Sequence, residues 1–588
     1  MSVPTTALTG ARNALANAAA LEMTESRMTR SSTRRLAAAG LAALAAVSLA
    51  ACSSSARSSS GDTSSSSAGA TGGTMVFGAA GAPKLFDPFY ATDGETFRVS
   101  RQIFEGLVSF APGTADVAPG LAKTYTSSPD GLTWTFGLQS GVKFSDDTPF
   151  DATAVCKNFT RMYSQTGAAA TEAVSQYWAD NFGGFADGVA PSLYKSCKAT
   201  DPATAVVTLN RVTSKFPAVL GLPSFSMQSP TAMEKYNANT VTAKGDSFTY
   251  SSYALQHPTG TGPFTFDSFD QANGVITLKR NDSYWGQKAK LDKLVFQVIA
   301  DESARKQALQ SGQIDGYDLP SPADWDQLKK AGYNLEVRPA FNVLYLGITQ
   351  SNNPALADIR VRQALAYAID RKGLVDQQLP AGATVAKEFY PDTVGGYSTD
   401  VQTYDYNPQK AKSLLAEAGA SNLTVNFYWP TEVSRPYMPK PSDIFNYMQA
   451  NLKAVGITVN AVSKPWNGGY LDSVDAKKAD LFLLGWTGDY NTPDNFVGTF
   501  FGGTDNRFST GTSTWGKTLA ASLKAADSEP NAKNRTSAYE ALNKSLMADY
   551  LPAIPISHSP PALVVSSKIK GLVPSPLTDE KFASVSKG

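Results

Sequence analysis

Arg435 and Asp489 are charged residues set in loops beside expected strands, positions suited to binding a charged ligand. Arg435 stands in Arg435-Pro-Tyr437-Met-Pro439, a loop between a strand expected over 424–428 and a helix expected to open at Ser442. A guanidinium held there can grip a ligand carboxylate through two parallel, charge-assisted hydrogen bonds. Asp489 follows the apolar run Leu481-Phe-Leu-Leu484 and the segment Gly485-Trp486-Thr-Gly488. Loops at strand ends of α/β sheets are common places for binding residues. Trp486 and Tyr437 beside them offer stacking surfaces. The bland alternatives are a turn role for Asp489, an Arg435–Glu432 surface ion pair, and core packing for the aromatics.

Other chemistries are poorly supplied. The chain has two histidines, His257 and His558, and three cysteines, Cys52, Cys156 and Cys197. That is too few for the usual Cys/His zinc site, and a Ser-His-Asp hydrolase would have to use one of the two histidines. His558 follows Ile554-Pro-Ile-Ser557, yet no G-x-S-x-G nucleophile elbow occurs. Lys and Arg total 52 against 51 Asp and Glu, so no basic excess exists to neutralise a nucleic-acid backbone. The composition points to binding rather than catalysis, with no cofactor or metal expected.

The N-terminal segment reads as an address. Arg30, Arg34 and Arg35 precede an uncharged stretch over 36–51, shorter than the roughly 20 residues of a membrane span. Leu49-Ala-Ala-Cys52 resembles a bacterial lipobox, in which the cysteine is acylated and becomes the new N-terminus. The expected layout is a lipoprotein-type signal peptide over 1–51 and a flexible Ser-rich tether over 52–73. Met28 is an alternative start to Met1. With Cys52 used by the anchor, Cys156 and Cys197 remain in an oxidising compartment and are expected to pair, the alternative being two separate buried thiols.

The body must position these loops, and its pattern is mixed α/β. Strand signals fall at 133–138, 205–209, 275–279, 294–299 and 457–462, each rich in β-branched or aromatic residues. Asn407-Pro408 caps a helix that Gly419 ends, and Ile444, Met448, Leu452 and Val455 form one face of the helix opening at Ser442. No fixed-period repeat is present, which disfavours solenoids and propellers. A chain of 588 residues accommodates roughly three to four domains of layered α/β structure.

Several segments together carry a family resemblance. Gly260-Thr-Gly-Pro-Phe264, Arg280-Asn-Asp-Ser-Tyr-Trp-Gly286 and Val361-Arg-Gln-Ala-Leu-Ala-Tyr-Ala-Ile-Asp-Arg371 resemble the hallmarks of the family 5 extracytoplasmic solute-binding proteins of peptide and nickel ABC importers. The segments around Arg435 and Gly485–Tyr490, with Pro493-Asp-Asn-Phe496, are most similar to the family's periplasmic dipeptide-binding members. The first three read physically as scaffold.

The resemblance implies a class II periplasmic-binding-protein-like fold of two hinged lobes plus an inserted domain. Lobe I would combine 74–103, 205–308 and 560–588, the insertion would occupy 104–204, and lobe II 309–559. It implies a monomeric, non-enzymatic substrate-binding protein, lipid-anchored outside the membrane, that captures di- or oligopeptides and delivers them to ABC permease subunits. Asp489 would hold the peptide amine and Arg435 its carboxylate, with Gly485, Trp486 and Tyr437 beside them. Two departures bear on ligand preference: Thr492 replaces the acidic residue expected before Pro493, and the segment Gly81–Pro88 matches loosely. Alternatives are a nickel chelate, haem or oligosaccharide ligand within the family, and, remotely, a secreted hydrolase.

Overall fold

The computed structural model describes residues 72–588 apart from Asp246; the expected signal peptide, Cys52 and nearly all of the tether lie outside them. Three sheets organise the body. A seven-stranded sheet runs in the order Phe264–Asp270, Val275–Arg280, Lys293–Val298, Thr74–Ala79, Gly316–Asp318, Ala562–Val565, Asn334–Val337. A six-stranded sheet runs Thr384–Val385, Ala553–His558, Asn342–Ile348, Leu481–Thr487, Thr424–Thr431, Thr458–Pro465. A four-stranded antiparallel sheet runs Ala122–Ser127, Thr133–Leu138, Thr204–Leu209, Tyr194–Asp201, inserted between the first two segments of the seven-stranded sheet in chain order. The architecture is α/β, with helices packed on the sheets.

Local sequence explains the elements that carry the candidate residues. Asn342–Ile348 is buried at every position, as is Leu481–Gly485, so the two apolar runs form adjacent central strands covered on both faces. Thr424–Thr431 begins with alternating exposed and buried residues and pairs in parallel with Thr458–Pro465, the helix Pro441–Ala454 bridging them. That helix opens one residue earlier than the sequence suggests: Pro441 takes the first helical position, where its missing N–H costs nothing, and the Ser442 hydroxyl donates to Asp443. Asn407 caps Pro408–Glu417 through Lys410 N at 2.9 Å, and Gly419 takes a φ of +69° past its end.

Strand pairing draws the domain limits differently from the sequence reading. Thr204–Leu209 pairs with both neighbours in the four-stranded sheet, so the insertion runs past 204. Helix Glu302–Gln310 returns the chain to the seven-stranded sheet, where Gly316–Asp318 lies parallel to Thr74–Ala79 and Asn334–Val337 pairs with Ala562–Val565. The six-stranded sheet therefore begins only at Asn342 rather than near 309.

Between these two sheets the chain crosses at 338–341 and again at 559–561. Asn342 clasps the crossings, its amide donating to Ser559 O (2.7 Å) and its Oδ1 accepting from Ser559 N (3.1 Å). His558 belongs to this clasp: its Nδ1 lies 2.7 Å from Asn342 O, and burial pushes it down to about 4, so it is a neutral structural histidine. Arg338, fully buried at the first crossing, pairs with Asp318 (2.6 Å) and Glu580 (2.7 Å), and Asp318 also pairs with Arg98.

The family-like motifs are scaffold, as their composition suggested. A Cβ at Gly260 would lie 2.2 Å from Ile103 O, so that turn must be glycine. Thr261, Tyr284 and Trp285 all donate to the carboxylate of Glu105, at 2.7, 2.7 and 2.8 Å. In the insertion, Cys156 and Cys197 form a disulfide that ties helix Ala152–Tyr163 to strand Tyr194–Asp201.

Candidate functional site

The candidate site grows from the end of strand Leu481–Thr487. Gly485 has no room for a side chain: a Cβ would lie 2.4 Å from both the Tyr437 ring and Val343 O. The Tyr437 ring fills that gap and is buried, and burial pushes its hydroxyl well above the ordinary tyrosine range. Tyr437 is thereby a packing aromatic that fixes the Arg435 loop to the strand. The loop is tight, with reciprocal backbone bonds between Arg435 and Met438 (3.0 and 2.9 Å). The Arg435 guanidinium lies over the Trp466 ring, 4.2 Å from its centroid, and its buried Nε has no hydrogen-bond partner. No Arg435–Glu432 ion pair forms.

Past the strand, the chain turns sharply through Gly488, where a Cβ would lie 2.3 Å from the Phe341 ring. Asp489 follows and faces a cavity of about 410 Å³. Trp486, Asp489, Tyr490, Asp494 and Asn495 line it from the six-stranded-sheet side; Tyr177, Asp180, Asn181 and Lys215 line it from the insertion side. Asp489 and Tyr177 also border a small adjoining void with Arg101 and Asp579. The carboxyl of Asp489 is pushed up to about 6, chiefly by desolvation, with the repulsion of Asp180 added and with Asn495 hydrogen bonding and Arg101 opposing. Asp489 makes no ion pair within the described residues. It is a poorly compensated carboxylate in a cleft, suited to an incoming cation.

Direct contacts close the cleft around this cavity. Lys215 pairs with Asp494 at 2.7 Å, and the hydroxyls of Thr213 and Ser214 donate to Asp527 at 2.8 and 3.0 Å. Within the Asp489 loop, the Asn495 side-chain oxygen accepts from Asp489 N (2.7 Å) and Trp486 Nε1 (3.3 Å).

Of the residues singled out from sequence, Trp486 and Asp489 share the cavity, whereas Arg435, Tyr437 and Gly485 are not among its lining residues. Tyr177, Asp180, Lys215 and Asn495 were not anticipated. Asn495 lay within the Pro493–Phe496 motif, a usable signal; the insertion residues carried none, because only the tertiary fold brings them to Asp489. Neither histidine lines the cavity, and His257 instead stacks on Tyr236 at 3.9 Å. Among the described residues, no cluster of three or more His, Cys, Asp or Glu is placed to hold a metal ion, and no helix is long and apolar enough to cross a membrane.

Comparison with known proteins gives a consistent picture. A family model for bacterial extracellular solute-binding proteins, family 5 (middle), matches residues 116–508. The dipeptide-binding protein of Escherichia coli K12 is 32% identical over 522 residues, covering 87% of this chain and 94% of that protein. Di/tripeptide-binding protein 1 of Pseudomonas aeruginosa UCBPP-PA14 and heme-binding protein A of Haemophilus influenzae are each 30% identical, again over 87% of this chain and over 94% and 92% of their own lengths. Among solved structures, the periplasmic binding protein DppA of Helicobacter pylori, in complex with the peptide STSA, superposes with a TM-score of 0.71 at 26% identity, covering 88% of this chain and 98% of that one. These relatives are binding proteins rather than enzymes. With a family model matching residues 116–508 and a relative 32% identical over 94% of its own length, the chain belongs to the family 5 bacterial extracellular solute-binding proteins.

Proposed function

We propose that this protein is the lipid-anchored receptor of an ABC importer that captures short peptides between its lobes and delivers them to the permease. Asp489 holds the peptide α-ammonium and Arg435 the α-carboxylate; Trp486 flanks the backbone. The observation that carries this reading is Asp489 itself, a desolvated carboxylate without an ion-pair partner, facing the cavity between the six-stranded sheet and the insertion. An ammonium supplies what the site lacks. Arg435 lies outside the lining of that cavity with its guanidinium over Trp466, and its buried Nε, without a hydrogen-bond partner, makes it the cation offered to the other end of the ligand. A neutral sugar would leave both unsatisfied. The peptide-binding relatives support the same ligand class.

Calorimetry with free, N-acetylated and C-amidated dipeptides tests the assignment. Removing one partner of a closed, desolvated pair costs about 3–5 kcal/mol, roughly two to four decades of affinity. Asp489→Ala should cripple binding of free dipeptides and change the already weak N-acetylated ones far less; Arg435→Ala should show the mirror pattern against C-amides. An equal loss for free and blocked peptides would make these residues structural. Preferential binding of haem or a nickel chelate in the same titration would transfer the protein to another ligand class.

A further inference from the structure

Asn495 has a role at this site beyond the two charges assigned above. It ends the short helix Pro493–Asn495, is 3% exposed, and lines the cavity behind Asp489. Its Oδ1 is shared by two donors from either side of the Gly488 turn: the Asp489 backbone N–H and the Trp486 indole N–H. The turn has little other freedom. Gly488 N donates to Phe341 O at 2.9 Å, and a side chain at 488 would strike the rings of Phe341 and Phe496, which pack edge to face at 5.5 Å. One side-chain oxygen therefore fixes an aromatic wall and the backbone of a carboxylate against each other.

We propose that Asn495 is a positioning residue that sets the spacing between Trp486 and the Asp489 carboxylate, so that a ligand is read by its amine and by the backbone next to it. The proposal rests on the amine-binding reading of Asp489. Asn495 hydrogen bonding also opposes the desolvation that pushes the Asp489 carboxyl up, so the same side chain helps keep the site charged. The other groups acting on Asp489 are Arg101, which favours its ionised form, and Asp180, which disfavours it; the hydroxyls of Tyr177 and Tyr490 lie close enough to feel its charge. None of these spans the turn as Asn495 does.

The test compares Asn495→Ala and the gentler Asn495→Ser with wild type, using L-alanyl-L-alanine and its N-acetyl derivative as probes across pH 5 to 9. Asn495→Ala should weaken the free dipeptide by about tenfold or more, because the Asp489 carboxylate is no longer held in place for the ammonium, and the N-acetyl derivative by much less. The pH midpoint for free-dipeptide binding should also move upward. Asn495→Asp retains an oxygen for both donors but brings a second carboxylate to Asp489, so it should raise that midpoint further. Equal losses for both probes with an unmoved midpoint would reduce Asn495 to ordinary packing and overturn the proposal. A ligand-free readout separates it from the amine assignment: the Trp486 contribution to fluorescence, taken as the difference from Trp486→Phe, should shift in Asn495→Ala or Asn495→Ser. An unchanged Trp486 difference spectrum would refute the positioning role even if peptides bind, whereas a shifted spectrum with no preference for free amines would refute only the amine assignment.

Discussion

Asp489 is costly to the unliganded protein. Its carboxyl is raised from the ordinary aspartate value to about 6, so the folded state binds a proton more readily than the unfolded chain does. The sign follows: above about pH 6 the ionised group opposes folding, and the penalty fades as pH falls from there towards 4. Asp489→Asn should therefore melt at a higher temperature than wild type at pH 8, with the gap closing by about pH 4, as scanning calorimetry of the ligand-free proteins would read. A gap that is constant with pH would mean the carboxylate is not the source. At this scale a charge in a loop without a packing reason was a usable signal for Asp489, which faces the cavity, whereas Arg435, chosen on the same ground, is not among the lining residues. The sequence marked Asn495 only as part of the Pro493–Phe496 motif, not the direction of its side-chain oxygen, and it was silent on Tyr177 and Asp180, which reach the cavity only through the docking of the insertion.

Among the elements, long and strongly patterned segments were legible. The apolar run at 481–484 became a central strand, and Asn407-Pro408 a capped helix start, because burial on both faces and a missing N–H at the first turn leave few alternatives. Two- and three-residue strands such as Thr384–Val385 and Gly316–Asp318 carried no local signal, since their pairing partners are far along the chain. The disulfide is an element-scale staple within the insertion, joining residues 41 apart in sequence. Replacing Cys156 and Cys197 together by serine should cost about 3–4 kcal/mol in the chain-entropy picture, measured by urea unfolding. Peptide affinity should be unchanged, because neither cysteine lines the cavity. A loss of affinity at unchanged stability would instead tie the disulfide to the cleft.

For the whole molecule, the bodies built on the two large sheets are joined by only two chain crossings, at 338–341 and 559–561, which Asn342 and Ser559 clasp together. The insertion belongs covalently to the seven-stranded-sheet side, yet it is the insertion that meets the other body, through Lys215–Asp494 and the hydroxyls on Asp527. Where one body ends was only partly legible: motifs mark the scaffold, but sheet membership is decided by long-range pairing, and Gly316–Asp318 and Asn334–Val337 joined the first sheet for that reason.

Lys587 lies beside Thr74–Ala79, the first strand among the described residues. Lys587 Nζ donates to Thr74 O at 3.1 Å and pairs with Asp315 at 2.8 Å, while the Asp315 carboxylate also accepts from Val76 N. Thr74 and Gly588 could therefore be joined by a short linker and the chain reopened elsewhere, a rearrangement of connectivity that leaves every pairing in place. The loop 186–190 is exposed throughout, with Val189 fully so, and it falls inside the ring closed by Cys156 and Cys197. A circular permutant opened at Val189 would have its new ends stapled by the native disulfide. It should melt near wild type when oxidised and lose stability on reduction, turning a static cross-link into a redox-controlled clasp.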